Sequence, residues 1–479
     1  MEKSAALQKG TTDMTVGSPA KNILIFTIPL IIGNLFQLIY NWTDAIIIGQ
    51  TMGPNAFGSL SASLPVVNLL LTVTLGFMTG AVVILGQLYG AKDYERFKRS
   101  LATILIVLCF GSLFLMVVGT LLSRPLLRLL NVSSEQIDAS AEYLTIYFLG
   151  IFAMAFYNAI AQILRAVGNS TTPLVVLICG TLLNVALDLL FVLVFQWGIK
   201  GVAIATVLAQ ALSAIACFLY MQKKFPLLKL TWKELRFDKK LFGNIMKVAV
   251  PSMVQQFCAS AGFIAINALI NKNGADYTTS FGLGNRIDEL ISMQFMSFGI
   301  ALTSFSAQNK GINDIKRMRS GLRSTLLISL AFLLVGGGFL LLFKDQVISL
   351  FMSMDDNLAG NPAMVAELTS QFLIITVPSY ILLAVMLVVS GLLRGAGDPI
   401  AAMNVNVFSL ICRIIAAFVL DYFFGYLGVF IASPVGWFGG MMYALLRYKG
   451  NKWTHKEVIS LPTAPLEEHS DVAATSSKI

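Results

Sequence analysis

The chain has 479 residues, 56% hydrophobic and only 12% charged, with a mean hydropathy of +0.77. Soluble domains carry about 25% charged residues, so this composition excludes an ordinary soluble protein and predicts an all-α polytopic membrane protein. The net charge of +9 does not indicate a nucleic-acid partner, because the basic residues sit between apolar runs without base-stacking aromatics or a binding module.

Crossing a bilayer takes about 20 apolar residues in a helix, and twelve segments qualify: 22–48, 59–87, 101–122, 139–164, 173–196 and 199–221, then 245–270, 278–306, 321–343, 367–392, 400–424 and 427–447. The polar tail 1–21 reads as cytoplasmic, and the run after it is too long for a removable signal peptide. With both termini inside, alternate loops and tails hold 27 of the 34 Lys and Arg, against 5 on the other face and Arg286 and Arg413 within spans. The positive-inside rule therefore predicts cytoplasmic termini.

Between the sixth and seventh segments, the stretch 222–244 is a basic linker, expected along anionic headgroups or as a solvated connector. The tail 448–479 is expected at the cytoplasmic face, polar beyond His455. The five cysteines lie inside apolar segments without CxxC spacing, which predicts neither a disulfide framework nor a metal cluster.

The two groups of six segments repeat. Pro29 in FTIPL answers Pro251 in VAVPS, GQLYGAKDYERFKRS (86–100) answers AQNKGINDIKRMRS (307–320), ILRAVGNSTTP (163–173) answers LLRGAGDP (392–399), and WGIKGVAIA (197–205) answers FGYLGVFIA (424–432). Six spans is an even number, so both halves cross in the same sense and a pseudo-twofold axis along the membrane normal relates them. The expectation is a six-helix N-lobe (22–221) and a six-helix C-lobe (245–447) around a central cleft. Two such lobes can rock, which suits a secondary transporter.

The first segment carries its polar residues on one side. At 100° per residue, Asn34, Gln37, Asn41 and Asp44 share a face. An ionised Asp near the bilayer centre costs about 2.5–3.5 kcal/mol, so Asp44 marks a functional site. The fifth segment places Thr181, Asn184 and Asp188 on one helical face. Two carboxylates in a dry site raise at least one pKa, which makes a proton acceptor of Asp44 with Asp188. Alternatively Na⁺ sits between them, with oxygens from Asn184 and Thr206 completing a hard-cation shell. Tyr143, Asn158 and Gln162 on the fourth segment read as helix-packing polar residues.

In the second half, Arg286, Asp288 and Glu289 read as an internal ion pair, and Glu289 also as a candidate contact of the substrate cleft. Met293 and Met296 suit an adaptable pocket. Asn34 and Gln256 complete the candidate cleft. Local pairing is the expectation for Arg413 and Asp421.

These residues resemble the MATE (multidrug and toxic compound extrusion) family over roughly 20–450. The likeness is carried by the IPL start of the first segment with WTDAIIIGQ, LGQLYGAKD, LRAVGNSTTP, LLNVALD, GIKGVAIATVLAQ and AQNKG. The resemblance implies a two-lobed antiporter, with no cofactor, that exports cationic or lipophilic compounds in exchange for H⁺ or Na⁺, here similar to the DinF-like branch. It implies a cation site at Asp44 and Asp188 with Asn184 and Thr206, a surrounding network of Tyr143 and Asn158, and a hinge at Pro29. The second-lobe acids of the NorM-like branch are absent from the seventh and tenth segments. Partners expected are small organic, cationic substrates and the bilayer, around a monomer in a bacterial-type plasma membrane. The alternatives are a lipid-linked sugar flippase of the same superfamily, a channel, or a membrane-embedded enzyme, for which no nucleophile, metal set or histidine within a span is present.

Overall fold

The computed structural model describes residues 11–52, 54–129, 132–353 and 360–459. Every regular element among them is helical. The twelve expected spans correspond to α1 (Pro19–Met52), α2 (Pro54–Gly90), α3 (Tyr94–Leu129), α4 in two segments (Ser134–Leu149 and Ile151–Ala166), α5 (Thr171–Leu189, prolonged by a π turn to Val194), α6 (Gly198–Lys224), α7 (Lys239–Ile270), α8 (Ala275–Gly311), α9 (Ile315–Phe332, continued by a π turn to Gly338–Leu342), α10 (Pro362–Gly395), α11 (Pro399–Phe424) and α12 (Tyr426–Lys449). A short helix, Lys344–Ser353, follows α9. Eleven of these helices are long and apolar enough to span a bilayer, and the two halves of α4, bent by 51°, make a twelfth. The chain is a multi-pass membrane protein.

The internal repeat is visible in the backbone. Lys92 (φ 57°) and Asn313 (φ 56°) are left-handed at matching places, and the residue after each caps a helix: Asp93 Oδ1 accepts from the Arg96 amide at 3.0 Å, and Asp314 Oδ1 from the Arg317 amide at 2.9 Å. A short acceptor side chain at a helix start satisfies an amide that the first turn leaves without a partner. Gly168 (φ 81°) and Gly397 (φ 91°) close α4 and α10 in the same way, a conformation that costs glycine nothing.

Within each half the helices pack as a bundle, α5 against α6 and α11 against α12, while α2 leans on α7 and α8 and α1 on α8 and α9 across the halves. Close approach of α2 to its partners depends on missing side chains. A Cβ at Gly80 would stand 2.7 Å from the Ile245 carbonyl and the Ala249 amide, and one at Gly86 2.9 Å from Ala307 Cβ.

The linker is anchored to the protein. α6 runs on to Lys224 and α7 begins at Lys239; between them Leu227 and Leu228 are buried in the core of the first half. Lys98 Nζ meets Glu234 Oε1 at 3.0 Å, and the Asp238 amide donates to Thr103 Oγ1 at 3.1 Å. Its apolar residues, more than its charges, fix its path. Past α12, Trp453 and Ile459 are also buried; the tail from residue 460 onward lies outside the described residues.

Candidate functional site

α1, α4, α5 and α6 bring the polar residues of the first half toward one another. On α5, Thr181, Asn184 and Asp188 recur at helical spacing and all three are buried, Asp188 completely. Thr206 of α6 is buried too, and Tyr40 Oη of α1 donates to its hydroxyl at 3.4 Å. Gln37, Tyr40, Tyr157, Thr181, Asn184 and Gln210 line a narrow cavity between α1, α4, α5 and α6. Gln37 of the expected network therefore lines the same cavity as Asn184. Asn41 and Asp44 of α1 lie outside the residues whose side chains are described, so Asp44 contributes only its place on the helix that supplies Gln37 and Tyr40.

Tyr143 is buried and stacks on Tyr147, ring centroids 6.1 Å apart. Asn158 Nδ2 donates to the Met154 carbonyl within its own helix at 2.9 Å. Tyr40 and Gln210 belong to this polar region although the sequence did not single them out. Gln37 and Tyr40 are one turn apart, a signal that the helical wheel of the first segment carries once tyrosine is counted as polar.

Pro29 lies inside an unbroken α1. It has no amide proton for the carbonyl one turn before it, which leaves a soft point in the ladder, and Pro251 repeats this in α7.

Candidate cleft residues separate into two groups. Asn34 Nδ2 donates to Ser297 Oγ at 2.9 Å and to the Met293 carbonyl at 3.3 Å, joining α1 to α8. Met293 is half-buried next to this contact, Met296 and Glu289 are exposed, and Gln256 is half-buried on α7.

Asp288 has a different partner from the one in its sequence neighbourhood. Tyr380 of α10 donates its hydroxyl to Asp288 Oδ1 at 2.5 Å, and Arg413 of α11 lies within its electrostatic reach. Arg413 Nε and Asp421 Oδ1 are each buried without a hydrogen-bond partner, so local pairing within α11 does not occur. Two turns of helix put them too far apart, and Arg413 packs against Gly436 of α12.

No group of three or more His, Cys, Asp or Glu side chains is placed to hold a metal among the described residues. The polar groups that do converge on the cavity are amide and hydroxyl side chains, with the Asp188 carboxylate one turn beyond Asn184 on α5.

A helical bundle of two repeats with a completely buried carboxylate on α5 fits a membrane transporter better than an enzyme. The MatE family model matches the chain twice, at residues 29–190 and 251–419, starting at Pro29 and Pro251, so each half carries one copy. The chain belongs to the MatE family. The "Probable multidrug resistance protein YoeA" of Bacillus subtilis is 28% identical, over 92% of this chain and 96% of its own. The "Multidrug export protein MepA" of Staphylococcus aureus (strain MRSA252) is 22% identical, over 85% and 89%. Among solved structures, an outward-facing multidrug resistance MATE family transporter of the MOP superfamily superposes with a TM-score of 0.85 at 21% identity, covering 92% of this chain and 98% of that one. A MOP superfamily transporter from Pyrococcus furiosus matches equally well, TM-score 0.85, over 92% and 99%.

Proposed function

We propose that the protein is a secondary active antiporter that exports small cationic or lipophilic compounds in exchange for H⁺ or Na⁺. In this reading residues 22–221 and 245–447 are the two lobes, both termini are cytoplasmic, and the protein works as a monomer in a bacterial plasma membrane. The observation that carries the reading is Asp188, completely buried in the first half one helical turn beyond the buried Asn184 on α5, with Thr206 buried on the adjacent α6. A carboxylate held there costs several kcal/mol unless a cation or proton compensates it, so its charge state and the shape of its surroundings are coupled.

In the proposed cycle, H⁺ or Na⁺ from outside neutralises the site formed by Asp44 and Asp188. Asn184 and Thr206 supply further oxygens, and Gln37, Tyr143 and Asn158 hold the surroundings. α1 then rearranges about Pro29, substrate leaves to the outside, and the lobes rock inward to take up more. For a neutral lipophilic compound, one charge returning down 100 mV releases about 2.3 kcal/mol, enough for roughly a fifty-fold gradient. One-for-one exchange with a monovalent cation moves no net charge and is driven by the H⁺ or Na⁺ concentration gradient. The names of the multidrug relatives support the substrate class.

Everted vesicles loaded by ethidium transport under a separately imposed pH or Na⁺ gradient test the proposal. Efflux should follow one of the two gradients, and Asp44→Asn and Asp188→Asn should each abolish it at unchanged expression. Undiminished efflux in both variants overturns it.

A further inference from the structure

On the face where both terminal segments lie, two fully buried glutamines cross between the halves. Gln87, at the end of α2, sends Nε2 to the Gly395 carbonyl at the end of α10, 3.1 Å away. Gln308, at the end of α8, sends Nε2 to the Ala166 carbonyl at the end of α4, 3.0 Å away. The donors stand at matching places of the repeat, GQLYGAKD and AQNKGIND, and so do the acceptors, LRAVG and LRGAG. Each half thus grips the other by the same bond. A Cβ at Gly90 would collide with the Gln308 carbonyl and one at Gly311 with that of Gln87, so both bonds need glycine across the contact.

The N-terminal segment reinforces one of the two. The Met14 amide donates to Gln308 Oε1 at 2.8 Å, and the Thr12 amide to the Val167 carbonyl at 3.0 Å. Arg317 binds the Met14, Val16 and Gly17 carbonyls. Residues 12–17 therefore touch the end of α4 on one side and α8 and α9 on the other.

We infer that Gln87 and Gln308 form a reciprocal clasp that closes this face of the transporter, and that they are positioning residues whose bonds set how often the cleft opens there. This rests on the alternating-access reading above. Opening this face has to break both bonds together, because the repeat axis relates them, while α4 and α10 separate from α8 and α2. Two amide donors leaving carbonyls in a buried contact disfavour the open state, and water entering the cleft repays them only once it is open.

The test places a thiol at the clasp. Ser306 is completely buried on α8, opposite Gly395. In purified Ser306→Cys protein, maleimide labelling is located by peptide mass spectrometry, with the buried native Cys217 of the first-half core as internal control. Gln87→Met with Gln308→Met removes both donors without adding charge; Gln87→Glu with Gln308→Glu keeps the shape and removes them while the carboxyls are ionised. The expected result is faster labelling at position 306, by about thirtyfold if each of the two bonds has its usual net worth, with Cys217 unchanged. Unchanged labelling at 306 in both pairs, or Cys217 labelling rising in step, overturns the clasp. Labelling needs no ion gradient, so a failure of the coupling proposal registers in the efflux assay and not here.

Discussion

Two carboxylates outside the candidate cation site, Asp398 buried and Asp288 half-buried, illustrate how single residues are held. Asp398, nearly fully buried, accepts both Nε of Arg447 at 2.8 Å and Nη2 at 2.5 Å. At the matching place in the first half stands Asn169, whose Oδ1 caps α5 by accepting from the Thr172 amide at 2.9 Å, so one half uses an ion pair where the other uses a neutral cap. Breaking one partner of a buried pair leaves an uncompensated charge, and Arg447→Ala should lower stability by about 3–5 kcal/mol, read as a fall in detergent melting temperature that Asp398→Asn in the same chain largely restores. Tyr380→Phe, which takes the hydroxyl from Asp288, should cost about 1.5–3 kcal/mol in the same measurement. A loss below half a kcal/mol would mean that Arg413 and Ser292 together suffice for Asp288.

Among the elements, α2 and α8 bear the closest contact between the halves. Where they cross, the Gly90 and Gly311 backbones touch the partner helix directly. Gly311→Ala has to push the helices apart or distort them, at about 1–3 kcal/mol as overpacking usually costs. Thermal unfolding should show this loss, whereas Gly111→Ala on α3, where a Cβ meets nothing within 4 Å, should be neutral or slightly stabilising by helix propensity. α4 shows why its two segments are one span broken in the middle: the Gly150 amide is shared between the Ile146 and Tyr147 carbonyls at 3.1 Å, and a Cβ there would strike Val207 of α6.

Across the whole molecule the halves are joined covalently only by the linker, and its docking depends on pH. Glu234 is pulled down to about 2, first by the Thr231 backbone amide and then by Lys98. A depressed carboxylate contributes stability above its unfolded value, near 4.5, and loses it as pH falls through about 2. Comparison of thermal unfolding between the wild type and Glu234→Gln should therefore show a difference at pH 7 that shrinks steadily as the pH is lowered from 4.5 toward 2. A difference independent of pH would assign the effect to packing and not to charge.

Composition, the twelve apolar runs and the four matched motifs determined the fold class, because lipid admits few solutions for so apolar a chain and a duplicated pattern must fold twice alike. The α5 face of Thr181, Asn184 and Asp188 was legible for the same reason: helical periodicity is a property of the sequence. What tertiary structure alone decided is which faces meet. Asp288 takes the Tyr380 hydroxyl of α10, Arg447 reaches back to Asp398, the linker sinks its leucines into the first-half core, and Gln87 and Gln308 cross to the opposite half. Each of these partners lies in another helix, and pairing between helices depends on their rotation and crossing, which no local pattern encodes.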